Sequence, residues 1–168
     1  GTFPKGRSLE ILLEIFSKID EDKHLVLGGY GDLMDLIINM SEKHENIHYI
    51  GPVSSNNMSF FTDIIDIGLV VLENVSLNYY HALPTKLFEY LGNGKPIITS
   101  NFPDMKNIVE KYNIGWTVEP TKKDLHNLIK KINFESFAQK RKEVNKKRSF
   151  FTWEKQKSKL LNLYKKNC

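Results

Sequence analysis

The sequence predicts a doubly wound α/β domain with a mostly parallel sheet flanked by helices, and three features carry that prediction. Short apolar runs and amphipathic helical patterns alternate about five times along the chain. One of the runs, Asp66-Ile67-Gly68-Leu69-Val70-Val71-Leu72, is nearly continuously apolar, as a strand covered on both faces of a parallel sheet must be. The length of 168 residues, with 40% hydrophobic and 26% charged residues, suits one globular domain with a real core, so residues 1–168 are read as a single unit.

Taken in order, Leu9, Leu12, Leu13, Phe16 and Ile19 recur at helical spacing, with Ser8 placed to cap the helix. His24 to Leu27 reads as a strand, then Gly28-Gly29-Tyr30-Gly31-Asp32 as a turn, then a helix with Leu33, Ile37 and Met40 on one face. That glycine-rich turn lets backbone approach a ligand, or simply lets the chain reverse. Its spacing is not a dinucleotide fingerprint, and no Gly-x-x-x-x-Gly-Lys-Ser/Thr phosphate loop occurs. Asn46 to Ile50 is a strand running into Gly51-Pro52-Val53, and a short helix is expected from about Ser55 to Phe61. The run Asp66 to Leu72 is followed by a polar and aromatic segment, Glu73 to Leu83, whose length and Asn78-Tyr79-Tyr80-His81 content suit a ligand-facing loop.

The stretch from Leu83 to Pro96 organises the rest. It reads as a loop, a short helix from Thr85, a glycine stop and a strand entry. At about 100° per residue, Thr85, Lys86 and Glu89 share one face while Leu87, Phe88 and Leu91 share the other. The apolar face packs on a sheet. The polar face sets an ammonium beside a helix N-terminus, where unpaired N–H groups and the macrodipole favour a phosphate, and Glu89 stands one turn on, placed to accept from hydroxyls such as a ribose diol. The plain alternative is an amphipathic helix whose Lys86 and Glu89 make an ordinary i,i+3 pair.

Beyond this segment, Pro96-Ile97-Ile98-Thr99 reads as a strand, Asp104 to Tyr112 as a helix and Gly115-Trp116-Thr117-Val118 as a strand. Leu125, Leu128, Ile129 and Ile132 mark a helix capped near Thr121, and Phe134 to Arg148 a charged helix. Phe151-Thr152-Trp153-Glu154 opens a last helix with Trp153, Leu160, Leu161 and Tyr164 on one side, packed against its own core or another unit.

Charge and special residues narrow the function. The net charge is +4 with a pI near 9.0, and the surplus lies after residue 121. No aromatic-studded RNA-binding signature or helix-turn-helix pattern accompanies it, so nucleic acid is not the expected partner; the cations read as solvated helix faces, with a peripheral contact to anionic lipid left open. Cys168 is the single cysteine, which excludes a disulfide framework and a cysteine zinc set. His44 and His48 are four apart, but a strand begins between them, so no metal pair and no essential metal is expected. Without a signal peptide or a bilayer-length apolar run, the expected setting is cytoplasmic. The abrupt opening at Gly1, without an initiator Met, suggests an excised domain.

The run Pro84-Thr85-Lys86-Leu87-Phe88-Glu89-Tyr90-Leu91-Gly92-Asn93-Gly94-Lys95-Pro96-Ile97-Ile98 resembles the donor-binding segment of GT-B glycosyltransferases, above all family 4 (group 1). In that family two glutamates lie eight positions apart before a small-residue turn and a Gly-Lys-Pro strand entry. The resemblance extends over nearly the whole chain and is to the C-terminal, nucleotide-sugar-binding half of such enzymes. It implies transfer of a glycosyl group from a nucleotide-diphosphate sugar to an acceptor with anomeric retention, no separate cofactor, and an N-terminal acceptor domain that this chain lacks.

Residue by residue, the resemblance implies that Glu89 binds the ribose and that the N–H groups of Thr85 and Lys86 meet the diphosphate. Lys5 or Arg7, in the Gly-Thr-Phe-Pro-Lys-Gly-Arg opening, would supply the opposing cation. Gly51 and Pro52 fall where backbone meets the base. His81 stands where relatives carry the first glutamate, the one that contacts the transferred sugar. Two rivals follow from the same fold: a nucleotide-sugar epimerase sharing these contacts, and a non-catalytic nucleotide-binding or assembly module.

Overall fold

A computed structural model of the protein describes residues 2–19, 22–54, 57–152 and 157. Helices and strands alternate in the order α1 (Leu9–Phe16), β1 (Leu25–Leu27), α2 (Met34–Lys43), β2 (Ile47–Tyr49), α3 (Met58–Asp63), β3 (Gly68–Val70), α4 (Leu77–Tyr80), α5 (Thr85–Gly92), β4 (Ile97–Ser100), α6 (Pro103–Tyr112), β5 (Gly115–Val118), α7 (Lys122–Lys131) and α8 (Phe134–Lys147), with a 3₁₀ turn over Arg148–Phe151. Among the described residues all strand pairings are parallel. They form two sheets, β1-β2 and β3-β4-β5, with Leu25 opposite Ile47 and Ile97 opposite both Gly68 and Gly115.

The α/β prediction therefore holds, and burial explains why the pattern was readable. Every residue of β4 is buried, as its central place between β3 and β5 requires. One apolar cluster joins Leu12, Leu13, Ile15 and Phe16 of α1 to β1, β2, Ile37 of α2 and Leu125 and Ile129 of α7. A second joins Leu87 and Leu91 of α5 to Ile97, Met105, Val109 and Val144 of α8. The α5 face predicted to be apolar is thus the buried one.

Capping accounts for several boundaries. The Thr121 hydroxyl accepts from the Asp124 N–H and starts α7, while Asn133 and Ser136 form a reciprocal capping box that starts α8. Pro103 opens α6, and Asn113, at φ 54°, closes it in the left-handed conformation. Gly68 is required by packing: a Cβ there would lie 2.3 Å from Cδ2 of Tyr90.

Three expectations need correction. Ser8 occupies the N-cap position of α1 but sits at φ 52° and makes no side-chain cap; its N–H donates instead to Glu73 Oε1 at 2.9 Å. β3 is shorter than the run Asp66 to Leu72, because Leu72 leaves the ladder and exchanges hydrogen bonds with the Ser100 hydroxyl, its N–H donating at 2.8 Å and its carbonyl accepting at 2.6 Å. The segment Glu73 to Leu83 is not all loop, since Ser76 Oγ accepts from the Tyr79 N–H and nucleates α4. The short helix expected from about Ser55 to Phe61 is present as α3, Met58–Asp63; Ser55 and Asn56 lie outside the described residues.

The last predicted helix, with Trp153, Glu154, Leu160, Leu161 and Tyr164, lies outside the described residues, as does Cys168. Phe151, before it, packs edge-on against Tyr112 and tilted against Phe88. No helix among the described residues is long and apolar enough to cross a membrane.

Candidate functional site

In open parallel sheets, ligands bind beyond the carboxyl ends of the strands, where neighbouring connections diverge to opposite faces. Here that position lies between β1 and β3. Residues 2–8 stretch across it. At one end Thr2 makes a parallel bridge with Tyr30, just past β1, and the Phe3 N–H donates to the Tyr30 carbonyl at 2.8 Å. At the other end Glu73, just past β3, donates its N–H to the Gly6 carbonyl at 2.9 Å and accepts from Ser8 through its carboxylate. The segment is tied at both ends, and Arg7 is fixed between them. Its guanidinium Nε is buried and has no hydrogen-bond partner.

Facing this segment is the start of α5. Pro84 holds the N-cap position with φ −62°, and no side chain caps the helix. Proline offers no side-chain oxygen to the first turn, whose Leu87 N–H donates to the Pro84 carbonyl at 3.0 Å. Lys86, half-buried, donates from Nζ to Glu89 Oε2 at 2.7 Å. Arg7, Leu72, Pro84 and Lys86 line one continuous cavity of about 400 Å³, whose remaining walls are largely the apolar residues of β1 and β3. Arg7, Lys86 and the N-terminus of α5 thus border one space, which also carries Asp22, Lys23 and Asp66, and that edge of it is suited to a polyanion such as a diphosphate.

The structure brings some predicted residues together and leaves others apart. Arg7 and Lys86 share the cavity, while Lys5 is exposed on the loop tip. Thr85 is exposed in the first turn of α5, and Glu89 lies one turn on, engaged by Lys86. Gly51, at φ 75°, follows β2 and accepts from the Gly29 N–H at 2.9 Å; Pro52 beside it is exposed. His81 caps the end of α4, is exposed, and faces α6, with Nδ1 3.4 Å from Asp104 Oδ2 and its ring edge-on to Tyr80.

Two residues outside the predicted set shape the site. Glu73 holds the Arg7 segment in place; its signal in the sequence was a carboxylate directly after the apolar run, at the carboxyl end of a strand. Tyr90 lines the cavity, and burial, reinforced by the neighbouring Glu89 charge, pushes its phenol up to about 12. Three basic residues of α8 are engaged in the fold. Lys140 donates to Asn113, Lys147 to the Tyr112 carbonyl, and Lys146 and Lys147 both to Glu143. His48 meets His24 across the β1-β2 pair at 2.8 Å, not His44, and no group of three metal-ligating side chains is found among the described residues.

Comparison with known proteins gives the family and the fold of the chain. The family model for glycosyl transferases group 1 matches residues 1–148. Over 67 residues the chain is 30% identical to the Bacillus subtilis (strain 168) protein named as teichuronic acid biosynthesis glycosyltransferase TuaH, a match taking in 40% of this chain and 17% of that protein. Sucrose-phosphate synthase from Thermosynechococcus elongatus shares the fold with a TM-score of 0.71 at 18% identity, over 99% of this chain and 43% of that one. The catalytic domain of cholesterol-α-glucosyltransferase from Helicobacter pylori does so with a TM-score of 0.68 at 18% identity, over 90% of this chain and 95% of that one. The chain spans less than half of the first two relatives. With the family model running from the Arg7 segment to the end of α8, the chain belongs to the group 1 glycosyl transferases.

Proposed function

We propose that this chain is the donor-binding unit of a glycosyltransferase, holding a nucleotide-diphosphate sugar with its diphosphate between Arg7 and the N-terminus of α5. The observation that carries the reading is the buried, unpartnered Nε of Arg7 on the same cavity as Lys86. A buried guanidinium donor without an acceptor is costly, and a phosphate oxygen is the acceptor its fork geometry fits.

In the reaction the bond between the anomeric carbon and the diphosphate oxygen breaks, and that carbon bonds to an acceptor hydroxyl, which gives up its proton. Negative charge grows on the departing diphosphate, and the fixed cations and helix N–H groups stabilise it. Lys5 stays exposed, which favours Arg7 as the opposing cation. Glu89 takes the ribose hydroxyls and the backbone at Gly51 and Pro52 borders the base, while His81, in the position of the glutamate that meets the transferred sugar in relatives, faces Asp104 of α6. The resemblance to family 4 makes retention the expected outcome. The name of the Bacillus relative points to a surface polysaccharide as acceptor class. An N-terminal acceptor domain completes the enzyme, so this chain alone binds donor and turns over little.

Calorimetric titration with UDP, GDP and ADP tests the reading. One nucleotide binds saturably, and Arg7→Ala weakens it about 10- to 100-fold, the loss of a charge-assisted hydrogen bond. Absence of binding to all three, or undiminished binding by Arg7→Ala, refutes it.

A further inference from the structure

The ladder between β1 and β2 turns two histidines toward one another. Val26 stands opposite His48 in the parallel register, so their side chains share a face of the pair. Alternation along the chain puts His24, two residues before Val26, on that face as well. The other face carries Leu25, Leu27 and Ile47 into the core. The imidazoles are left exposed, with His24 Nδ1 2.8 Å from His48 Nε2, ring centroids 5.0 Å apart and planes inclined by 23°. The backbone sets their spacing: the Leu25 N–H donates to the Asn46 carbonyl at 2.8 Å and the Ile50 N–H to the Leu27 carbonyl at 3.0 Å. The two residues are 24 positions apart, so no short motif announces the contact.

Ring nitrogens at that distance are spaced as donors to one metal ion. Two imidazole nitrogens on zinc, each about 2.0–2.1 Å from it and at an angle between square and tetrahedral, lie about 2.9–3.3 Å apart. In the contact as it stands, one facing nitrogen carries a proton and the other accepts it. Ligation needs both lone pairs, so the donating ring gives that proton to solvent and takes one at its far nitrogen. The change is one of tautomer and leaves the charge of the pair unaltered: His24 keeps its proton on Nε2 and His48 on Nδ1. Lys23, the cation next to His24 in the chain, is engaged by the Lys130 carbonyl, to which its Nζ donates at 3.3 Å.

We propose that His24 and His48 form a two-histidine site for a borderline divalent transition-metal ion, of the zinc or copper kind, on the exposed face of the β1-β2 pair. No group of three metal-ligating side chains gathers among the described residues, so water fills the remaining coordination positions. The ion acts as a clasp between the two strands and stabilises the fold by mass action. The proposal stands on strand register and ring geometry and does not depend on donor binding.

Calorimetric titration of the full chain with zinc chloride tests it, with magnesium chloride as the hard-cation control. One zinc binds per chain, magnesium does not compete, and copper(II) binds more tightly than zinc, as the order for nitrogen donors requires. His24→Ala and His48→Ala each weaken zinc binding at least about tenfold, through loss of one of two ligands, whereas His44→Ala leaves it unchanged. In proton NMR at constant pH the ring signals of His24 and His48 move together with one midpoint, and those of His44 and His126 stay. The thermal midpoint of the parent rises by roughly 5 °C at zinc about 100-fold above its Kd, and that of His48→Ala does not. Undiminished zinc affinity in both variants, or movement of the other histidine signals instead, overturns the proposal. So does one zinc per two chains with a dimer on sedimentation, which gives the ion to a site shared between copies.

Discussion

Replacing Glu89 by Gln separates two roles that its position combines. In the unliganded chain its carboxylate holds Lys86 Nζ at 2.7 Å, with the two side chains 35% and 30% exposed. A pair of that exposure is worth about 0.5–1 kcal/mol. Gln keeps the shape and an acceptor oxygen but removes the charge, so the hold of this residue on Lys86 weakens in favour of an incoming anion. Inorganic pyrophosphate, which has no ribose, should then bind about threefold more tightly. A nucleoside diphosphate gains the same freed lysine but loses charge-assisted acceptance of its hydroxyls. That loss costs roughly 2 kcal/mol for two hydroxyls, leaving binding about tenfold weaker. Calorimetric titration of both ligands into parent and variant reads the difference directly, and the ratio of the two affinities should move by roughly 30-fold. If both ligands shift in the same direction by the same factor, Glu89 only positions Lys86 and takes no part in ribose recognition.

Glu73→Ala strands the buried N–H of Ser8 and should destabilise the chain by about 2 kcal/mol, lowering the thermal midpoint by roughly 4–8 °C, whereas Glu73→Gln, which still accepts, recovers more than half. Gly68→Ala drives a methyl into the Tyr90 ring and costs about 1–3 kcal/mol in denaturant unfolding; combined with Tyr90→Ala, the double variant should be more stable than the two single losses summed. The fold raises the Tyr90 phenol from 10.0 to about 12, favouring the neutral form. Its contribution is complete below pH 10 and is lost as pH rises toward 12, so Tyr90→Phe should flatten that limb of the stability–pH curve. Hydrogen bonds from Lys146 and then Lys147 hold the Glu143 carboxyl down to about 2, and carbon-detected NMR titration should find it back in the ordinary carboxylate range in Lys146→Ala/Lys147→Ala.

The parts of the fold that were legible in the sequence are those whose signal is local. Thr121 before an amphipathic run, Pro103 at a first turn and the Ile97-Ile98 pair that enters β4 after Pro96 each state their structure within a few residues. The parts that were not legible are set by partners far along the chain. Ser8 looks like a cap from its neighbours, but the carboxylate that claims its N–H is 65 positions away. Leu72 looks like strand until the Ser100 hydroxyl, 28 positions on, takes over both of its backbone groups. α4 is a single turn begun by Ser76 amid residues that are half-buried or exposed, so no apolar stripe announces it. The site divides in the same way. Lys86 and Glu89 were readable as one helix face, whereas the choice between Lys5 and Arg7 depends on which side chain the Glu73 anchor turns inward.

That anchor gives the site its mechanical character. Arg7 hangs from a segment bonded to the end of β1 through Phe3 and to the end of β3 through Glu73, while Lys86 rides on α5, which packs on β3 and β4. Both cations are therefore held on the β3 side of the cavity, Arg7 through the bonds of Gly6 and Ser8 to Glu73 and Lys86 through α5. A ligand that bridges them stabilises the Arg7 segment, and by linkage anything that fixes that segment tightens the ligand by the same free energy. Glu73→Ala, by cutting the tie to β3, should therefore weaken nucleotide binding as well as stability, whereas Glu73→Gln should restore most of both.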